Sequence, residues 1–124
     1  MNFSRVGIIL NTKKYEECLN FYKFVLGLPV EGQFGDGDDQ ITIFSLEGCY
    51  LMVEHGGTSH PGSKPRDICP TKFRFNVPDI DVACDELRAK GVEVNVLKHE
   101  WGTTAEFADP DGNRCALRSA QDFG

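Results

Sequence analysis

The sequence predicts an α+β fold made of two βαβββ modules. Three observations carry this reading. An alternating apolar strand is followed by an amphipathic helix twice, first near residue 15 and again near residue 80. Each helix is followed by three further strand-like runs. A Gly/Pro-rich stretch separates the two sets, and the turn Asp109-Pro110-Asp111-Gly112-Asn113 sits before the last strand of the second. With 124 residues the chain has room for one domain and a buried core. The expected organisation is a single domain over residues 1-124, with module one at about 1-56, a linker at about 57-70 and module two at about 71-120.

The first strand runs from Phe3 to Leu10, where Val6, Ile8 and Leu10 alternate. The helix after it places Tyr15, Cys18, Leu19, Tyr22, Val25 and Leu26 on one continuous face. Asn11 or Thr12 can cap its start, and Gly27 stops it. A strand near Val30 to Phe34, an acidic turn over residues 35–39, a strand from Ile41 to Leu46, the Glu47-Gly48 turn and a strand from Cys49 to Glu54 complete the module. From His55 to Pro70 glycine, proline and serine dominate, as in a loop or linker. The pattern then restarts. Phe73, Phe75 and Val77 alternate on a strand, Asp79 caps a helix with Ile80, Ala83, Cys84 and Leu87 on one face, and Gly91 ends it. Strands follow at Val92 to Lys98, Thr103 to Ala108 and Arg114 to Arg118. One helix covers only one face of four strands, so a curved mixed sheet from each module, facing inward, makes an open barrel or cup.

Composition narrows the function classes. The chain is 40% hydrophobic and 26% charged, as an ordinary soluble globular protein is. A formal net charge of −6 excludes the basic footprint of a nucleic-acid binder. No apolar run reaches the roughly 18 residues of a membrane span, and the N-terminus has no signal-peptide hydrophobic stretch. The five cysteines, at positions 18, 49, 69, 84 and 115, are scattered and never in C-x-x-C spacing, which suits reduced packing thiols in a cytoplasmic protein.

Several motifs occur in a telling order: Phe21-Tyr22 with Val25-Leu26-Gly27-Leu28, Leu51 to Glu54, Val77-Pro78-Asp79, Lys90-Gly91-Val92, Trp101-Gly102, and Phe107-Ala108-Asp109-Pro110-Asp111-Gly112-Asn113. In that order and spacing the chain resembles the glyoxalase/bleomycin-resistance/dioxygenase group, the vicinal oxygen chelate superfamily, over nearly its whole length. The resemblance implies a glyoxalase-like pair of βαβββ modules, frequently homodimeric. It also implies, for the enzymes of the group, one divalent metal held by His, Gln and Glu from the first and last strand of each module, which polarises a substrate oxygen.

Carried over residue by residue, the metal positions fall at Arg5 or Gly7, at Glu54, at Lys72 (or Thr71 one residue earlier) and at Ala116. One carboxylate in four positions is short of the three protein ligands such a site needs, and fixed cations beside a divalent ion repel it. The expectation is therefore no metal and no other cofactor. His55 points away from the face of Glu54, while His60 in the linker and His99 near a strand end read as solvent-exposed loop histidines. The Asp-x-Asp of the turn lacks the spacing of a calcium loop, and Gly35/Gly37 lacks the Lys-Ser/Thr of a phosphate loop.

If Phe73, Phe75 and Val77 face the helix, then Lys72, Arg74 and Asn76 face the cup. Tyr50, Met52 and Glu54 share one face, as do Ala116 and Arg118, and Arg5 joins them if Val6, Ile8 and Leu10 pack under the helices. The expected ligand-binding residues are Arg5, Tyr50, Met52, Glu54, Lys72, Arg74 and Trp101, with Glu54 the only catalytic candidate. On the bland reading, Glu54 forms a salt bridge with Lys72 or Arg5 where the metal would stand, and Trp101 packs. On the sharper one, the cup binds a small, partly aromatic or anionic organic ligand without metal, as antibiotic-sequestering members of the superfamily do. The alternatives are a divalent-metal-dependent lyase, isomerase or dioxygenase of the lactoylglutathione-lyase type, and a metal-free enzyme with Glu54 as general base. A homodimer is expected, with no nucleic-acid or membrane partner.

Overall fold

The computed structural model describes residues 1–121. They form two compact units, one spanning Met1–Ser59 and the other starting at His60. The first contains β1 (Val6–Thr12), α1 (Tyr15–Asn20) running on into a π-helical turn (Phe21–Val25), β2 (Val30–Phe34), a 3-10 turn (Gly37–Asp39), β3 (Ile41–Ser45) and β4 (Cys49–His55). Its sheet has the order β1-β4-β3-β2, with β1 parallel to β4 and the other pairs antiparallel. The second unit contains β5 (Phe73–Val77), α2 (Ile80–Ala89), β6 (Asn95–His99), β7 (Gly102–Ala108) and β8 (Arg114–Ser119). It repeats the topology as β5-β8-β7-β6. The βαβββ pattern is thus present twice, and neither sheet closes into a barrel. Among the described residues no helix is long and apolar enough to cross a membrane.

Several boundaries differ from expectation for local reasons. Residues 3–5 are not strand, because the parallel partner of β1 begins only after the Glu47-Gly48 turn and pairing starts at Val6 opposite Cys49. Both turn residues have positive φ, 37° and 71°, the geometry of a two-residue hairpin. β6 starts at Asn95 rather than Val92, since the Val92 N–H closes the end of α2 on the Leu87 carbonyl and the Val94 carbonyl accepts from Arg88. Asp79 caps α2 as expected, accepting from the N–H groups of Asp81 and Val82. The expected cap of α1 is absent: β1 runs through Thr12, whose hydroxyl accepts from the Lys14 N–H, while Asn11 bonds across to β4.

The π-helical turn also changes the helix face. The Leu26 N–H reaches back five residues to Phe21, so an extra residue is accommodated and both Phe21 and Tyr22 are buried. Their rings meet edge to face at 5.4 Å, and Tyr22 lies 6.3 Å from Phe44 of β3. Leu10, Leu51, Val53 and Phe44 complete this core, with the Tyr15 hydroxyl bonded to Thr42 at 2.6 Å. In the second unit Cys84 and Leu87 of α2 pack with Ala105, Phe107, Cys115 and Leu117. Burial pushes the Cys84 thiol up from its ordinary value, with nearby Asp81 and Asp85 adding to the rise and Arg88 opposing it.

The Asp-Pro-Asp-Gly-Asn turn is built on one buried carboxylate. Asp109 Oδ1 accepts from the backbone N–H groups of Asp111 and Asn113, and Oδ2 accepts from Asn113 Nδ2, all within 2.8–2.9 Å. Gly112 takes φ 85°, and a Cβ there would run into the Gly62 carbonyl, so only glycine fits both the turn and the segment lying on it. That segment is clasped in place. The Lys64 N–H donates to the Gly112 carbonyl at 2.7 Å, and buried Lys64 Nζ donates to Asn113 Oδ1 at 2.7 Å, with Asp111 Oδ2 3.8 Å away. Most of the expected linker therefore belongs to the second unit.

Replacing Asp109 with Ala leaves buried donors unpaired and is expected to cost about 2–4 kcal/mol of stability, measured by urea unfolding. For Cys84, the folded pKa lies above that of the unfolded chain. Its stabilising share is complete below the usual thiol value of about 8.5 and is lost as pH rises from there through the folded value. Between pH 8 and 10 the protein should lose more stability than its Cys84→Ala variant, read from paired urea curves.

Candidate functional site

In the first unit, strand register fixes the face away from α1. Gly7, Ile9 and Asn11 of β1 stand beside Tyr50, Met52 and Glu54 of β4, and Ser45, Ile43 and Ile41 of β3 flank the same three residues. Tyr50, Met52 and Glu54 thus share a face as expected. Arg5 lies just before β1, with its guanidinium 5.2 Å from the centre of the Tyr50 ring. The same guanidinium donates to both Glu31 oxygens at 2.8 and 2.9 Å and to the Cys49 carbonyl at 3.1 Å. This ion pair is partly solvated and is worth about 0–1 kcal/mol, so it positions Arg5 more than it stabilises the fold. Val6 and Ile8 are exposed rather than packed under the helix, which covers only the Leu10–Thr12 end of the strand. Glu54 Oε1 accepts from Asn11 Nδ2 at 2.9 Å, and the same amide donates to the His55 carbonyl. His55 points to the other face, as expected, and stacks on Tyr15 at 4.4 Å.

In the second unit Lys72 is bound to Glu106, with Nζ 3.0 and 2.9 Å from the two carboxylate oxygens. Each of these groups has a partner inside its own unit, Arg5 with Glu31, Lys72 with Glu106 and Glu54 with Asn11, so within the first unit Arg5 pairs with Glu31 and not with Glu54. Arg74 is exposed and stands opposite Ala116, which on its other side faces Glu106. Trp101 lies in the tight connection between β6 and β7. Its indole stacks on the His99 ring at 4.3 Å with planes 4° apart, and His99 Nε2 is 3.0 Å from the Thr104 hydroxyl. His99 is therefore a fixed β6 residue and not a loop histidine. Arg118 of β8 places its guanidinium 4.9 Å from the indole centre and donates to the Trp101 carbonyl at 2.9 Å and the Ser119 carbonyl. A Cβ at Gly102 would lie about 3.0 Å from that guanidinium, which gives the Trp101-Gly102 pair its physical meaning: the glycine leaves room for the cation. His60 is also less exposed than expected, with Nδ1 buried.

Sequence reasoning missed Glu31 and Glu106 as partners of the two cations. Glu106 was accessible from the turn alone, since closing β7 onto β8 at residues 109–113 sets it opposite Ala116. The donor set at the family's metal positions does not fit a divalent ion. Arg5 is tied to Glu31, the Tyr50 ring fills the space a side chain at Gly7 would need, Lys72 is held by Glu106, and Ala116 has no donor atom. Among the described residues, no three His, Cys, Asp or Glu gather as metal ligands.

The chain belongs to the Glyoxalase/Bleomycin resistance protein/Dioxygenase superfamily, whose family model matches residues 5–117. It is 29% identical to the uncharacterized protein YraH of Bacillus subtilis (strain 168), over 91% of this chain and 94% of that protein. Among solved structures it is similar to TnmS3, an antibiotic binding protein from Streptomyces sp. CB03234, with a TM-score of 0.75 and 22% identity over 96% of this chain and 98% of that one. A lactoylglutathione lyase from Agrobacterium tumefaciens superposes with a TM-score of 0.73 at 15% identity, covering 99% and 98% of the two chains. At these identities the structural likeness speaks to the glyoxalase-like fold alone.

Proposed function

We propose that this chain binds a small organic molecule bearing a planar aromatic group, of antibiotic or metabolite type, and that it does so without a metal. The observation that carries this reading is the platform at Trp101. Its indole is 50% exposed although both of its ring neighbours, His99 and Arg118, are held by hydrogen bonds. A stacking surface fixed before the ligand arrives loses little side-chain freedom on binding, and an aromatic stack adds about 0.5–1.5 kcal/mol beyond buried area. The antibiotic-binding structure on the same fold supports the ligand class. The metal-free reading is supported by the side chains at the four family positions, which are cationic, absent or engaged. Free thiols at all five cysteines suit a reducing compartment such as the cytoplasm.

A homodimer accompanies this proposal. β1 is an edge strand with Val6 58% and Ile9 47% exposed, and Phe3 beside it is 76% exposed, an apolar edge of the kind that pairs with another chain.

Trp101 is the only tryptophan, so its fluorescence reads the platform directly. A panel of planar aromatic antibiotics and metabolites is expected to contain a compound that quenches it saturably, and Trp101→Ala should weaken binding of that compound, followed by calorimetry, by about tenfold or more. No saturable quenching by any compound at millimolar concentration would sink the proposal. Elemental analysis of protein purified without chelator should find substoichiometric divalent metal. Stoichiometric metal that Glu54→Ala removes would overturn the metal-free reading and favour the metal-dependent lyase. Light scattering after size exclusion should give the mass of a dimer at micromolar concentration; a monomer throughout contradicts the pairing.

A further inference from the structure

We propose that the open face of the first unit's sheet, the side turned away from α1, binds an organic cation: a protonated amine on an apolar body, with Glu54 as its counter-ion. This rests on the reading of the chain as a small-molecule binder and names the charge that its ligand carries. Register lays the face out in rows across the strands. Phe34 of β2, Ile41 of β3 and Glu54 of β4 form one row, and Gly32, Ile43 and Met52 form the next. Tyr50 follows Met52 on the same side of β4, beside Gly7 of β1. The residues that alternate with these, Thr42, Phe44, Leu51 and Val53, are buried on the helix side.

The floor of this face is apolar. The Phe34 ring leans back along β2 over Gly32, where a Cβ would lie 2.9 Å from its edge, and the Tyr50 ring likewise fills the space above Gly7. Phe34 is nonetheless 58% exposed, so its ring is surface offered outward and not part of the core. Ile41, Ile43 and Met52 lie between the two rings and are half-buried. The Met52 thioether is flexible and polarizable, which suits contact with a ligand body. Apolar side chains gathered around a polar group are the ordinary make-up of a small-molecule site.

The charge on this floor is unbalanced. Glu54 is half-buried, and among the described residues its side chain meets only the neutral amide of Asn11, through Oε1 at 2.9 Å. That bond holds the carboxylate in place without neutralising it and leaves Oε2 to accept from a ligand. The guanidinium on the same side, that of Arg5, stands at the Tyr50 end of the face and is already bound to both Glu31 oxygens. An ammonium donating to Glu54 makes a charge-assisted bond, roughly twice as strong as a neutral one. The formal net charge of −6 favours the approach of a cation. One carboxylate suits one ammonium and falls short of the three protein ligands that a divalent ion takes. An anionic ligand would meet Glu54 head on.

Phenethylamine, 2-phenylethanol and 3-phenylpropanoate, similar in shape and different in charge, test the site on the intact chain by methyl NMR titration. The chain has two methionines, so the Met52 methyl reports the face with little overlap. Phenethylamine is expected to shift the methyl signals of Met52, Ile41 and Ile43 saturably, with the alcohol several-fold weaker and the carboxylate weaker still. Glu54→Gln should lower phenethylamine binding to the level of the alcohol while leaving the alcohol's own binding unchanged. If that variant does not fold, the charge series on the parent protein decides alone. The proposal is overturned by the absence of saturable shifts at millimolar phenethylamine, by equal binding of the alcohol or the carboxylate, or by a folded Glu54→Gln protein that binds the amine as the parent does. A Met52 signal that moves with protein concentration and ignores the amine also overturns it, since a second copy then covers the face. The Trp101 titration separates the two readings. Saturable quenching of Trp101 together with no preference for the amine at Met52 sinks this inference and leaves the function proposed above standing.

Discussion

The second unit depends on a single buried carboxylate. Asp109 accepts three hydrogen bonds from its own turn and so fixes where β7 stops and β8 starts. Everything across that hairpin follows from this register. Glu106 stands opposite Ala116, where it receives Lys72, and Thr104 stands opposite Arg118. Arg118 then reaches Trp101, and Thr104 holds His99 beneath the indole. A slip of one residue would turn every one of these side chains to the opposite face of the sheet. A charged acceptor buried against backbone N–H groups resists such a slip, because each lost bond leaves a desolvated donor behind.

Charge placement shows a second regularity. Two cations that the resemblance sets near metal-ligand positions, Arg5 and Lys72, each hold a carboxylate of the same unit. Glu54, the carboxylate expected from the same resemblance, is held by a neutral amide instead. Each charge is thus met over a short distance by a neighbour that strand pairing has already brought close. Such pairs order their side chains at little net gain in stability.

Periodicity made the fold legible. Alternation at Phe73, Phe75 and Val77, the Asp79 cap and the glycines after both helices gave elements that the structure reproduces within a few residues. The misses arose wherever a distant partner decided a local question. Phe3 reads as strand until its would-be partner turns out to be a hairpin turn. Asn11 reads as a cap until β4 offers it a carboxylate and a carbonyl. The π-helical turn left no mark in the helical period, because both Phe21 and Tyr22 are apolar enough to be buried in any register. Of the site, the shared face of Tyr50, Met52 and Glu54 was readable from alternation, whereas the partners of Arg5 and Lys72 required knowing which strands are neighbours.

The clasp between Lys64 and the Asp109–Asn113 turn bears on how the two halves could be exchanged with those of other proteins. Composition places the seam anywhere in a stretch rich in glycine and proline, but hydrogen bonding gives residues from His60 onward to the second half. A chimera joined after Ser59 carries the ammonium and its acceptors together. One joined at Pro70 parts them, stranding a buried asparagine and aspartate in one parent and a lysine in the other. The modular boundary of this chain is thus a matter of where its buried polar groups find one another, and the flexible-looking sequence is a poor guide to it.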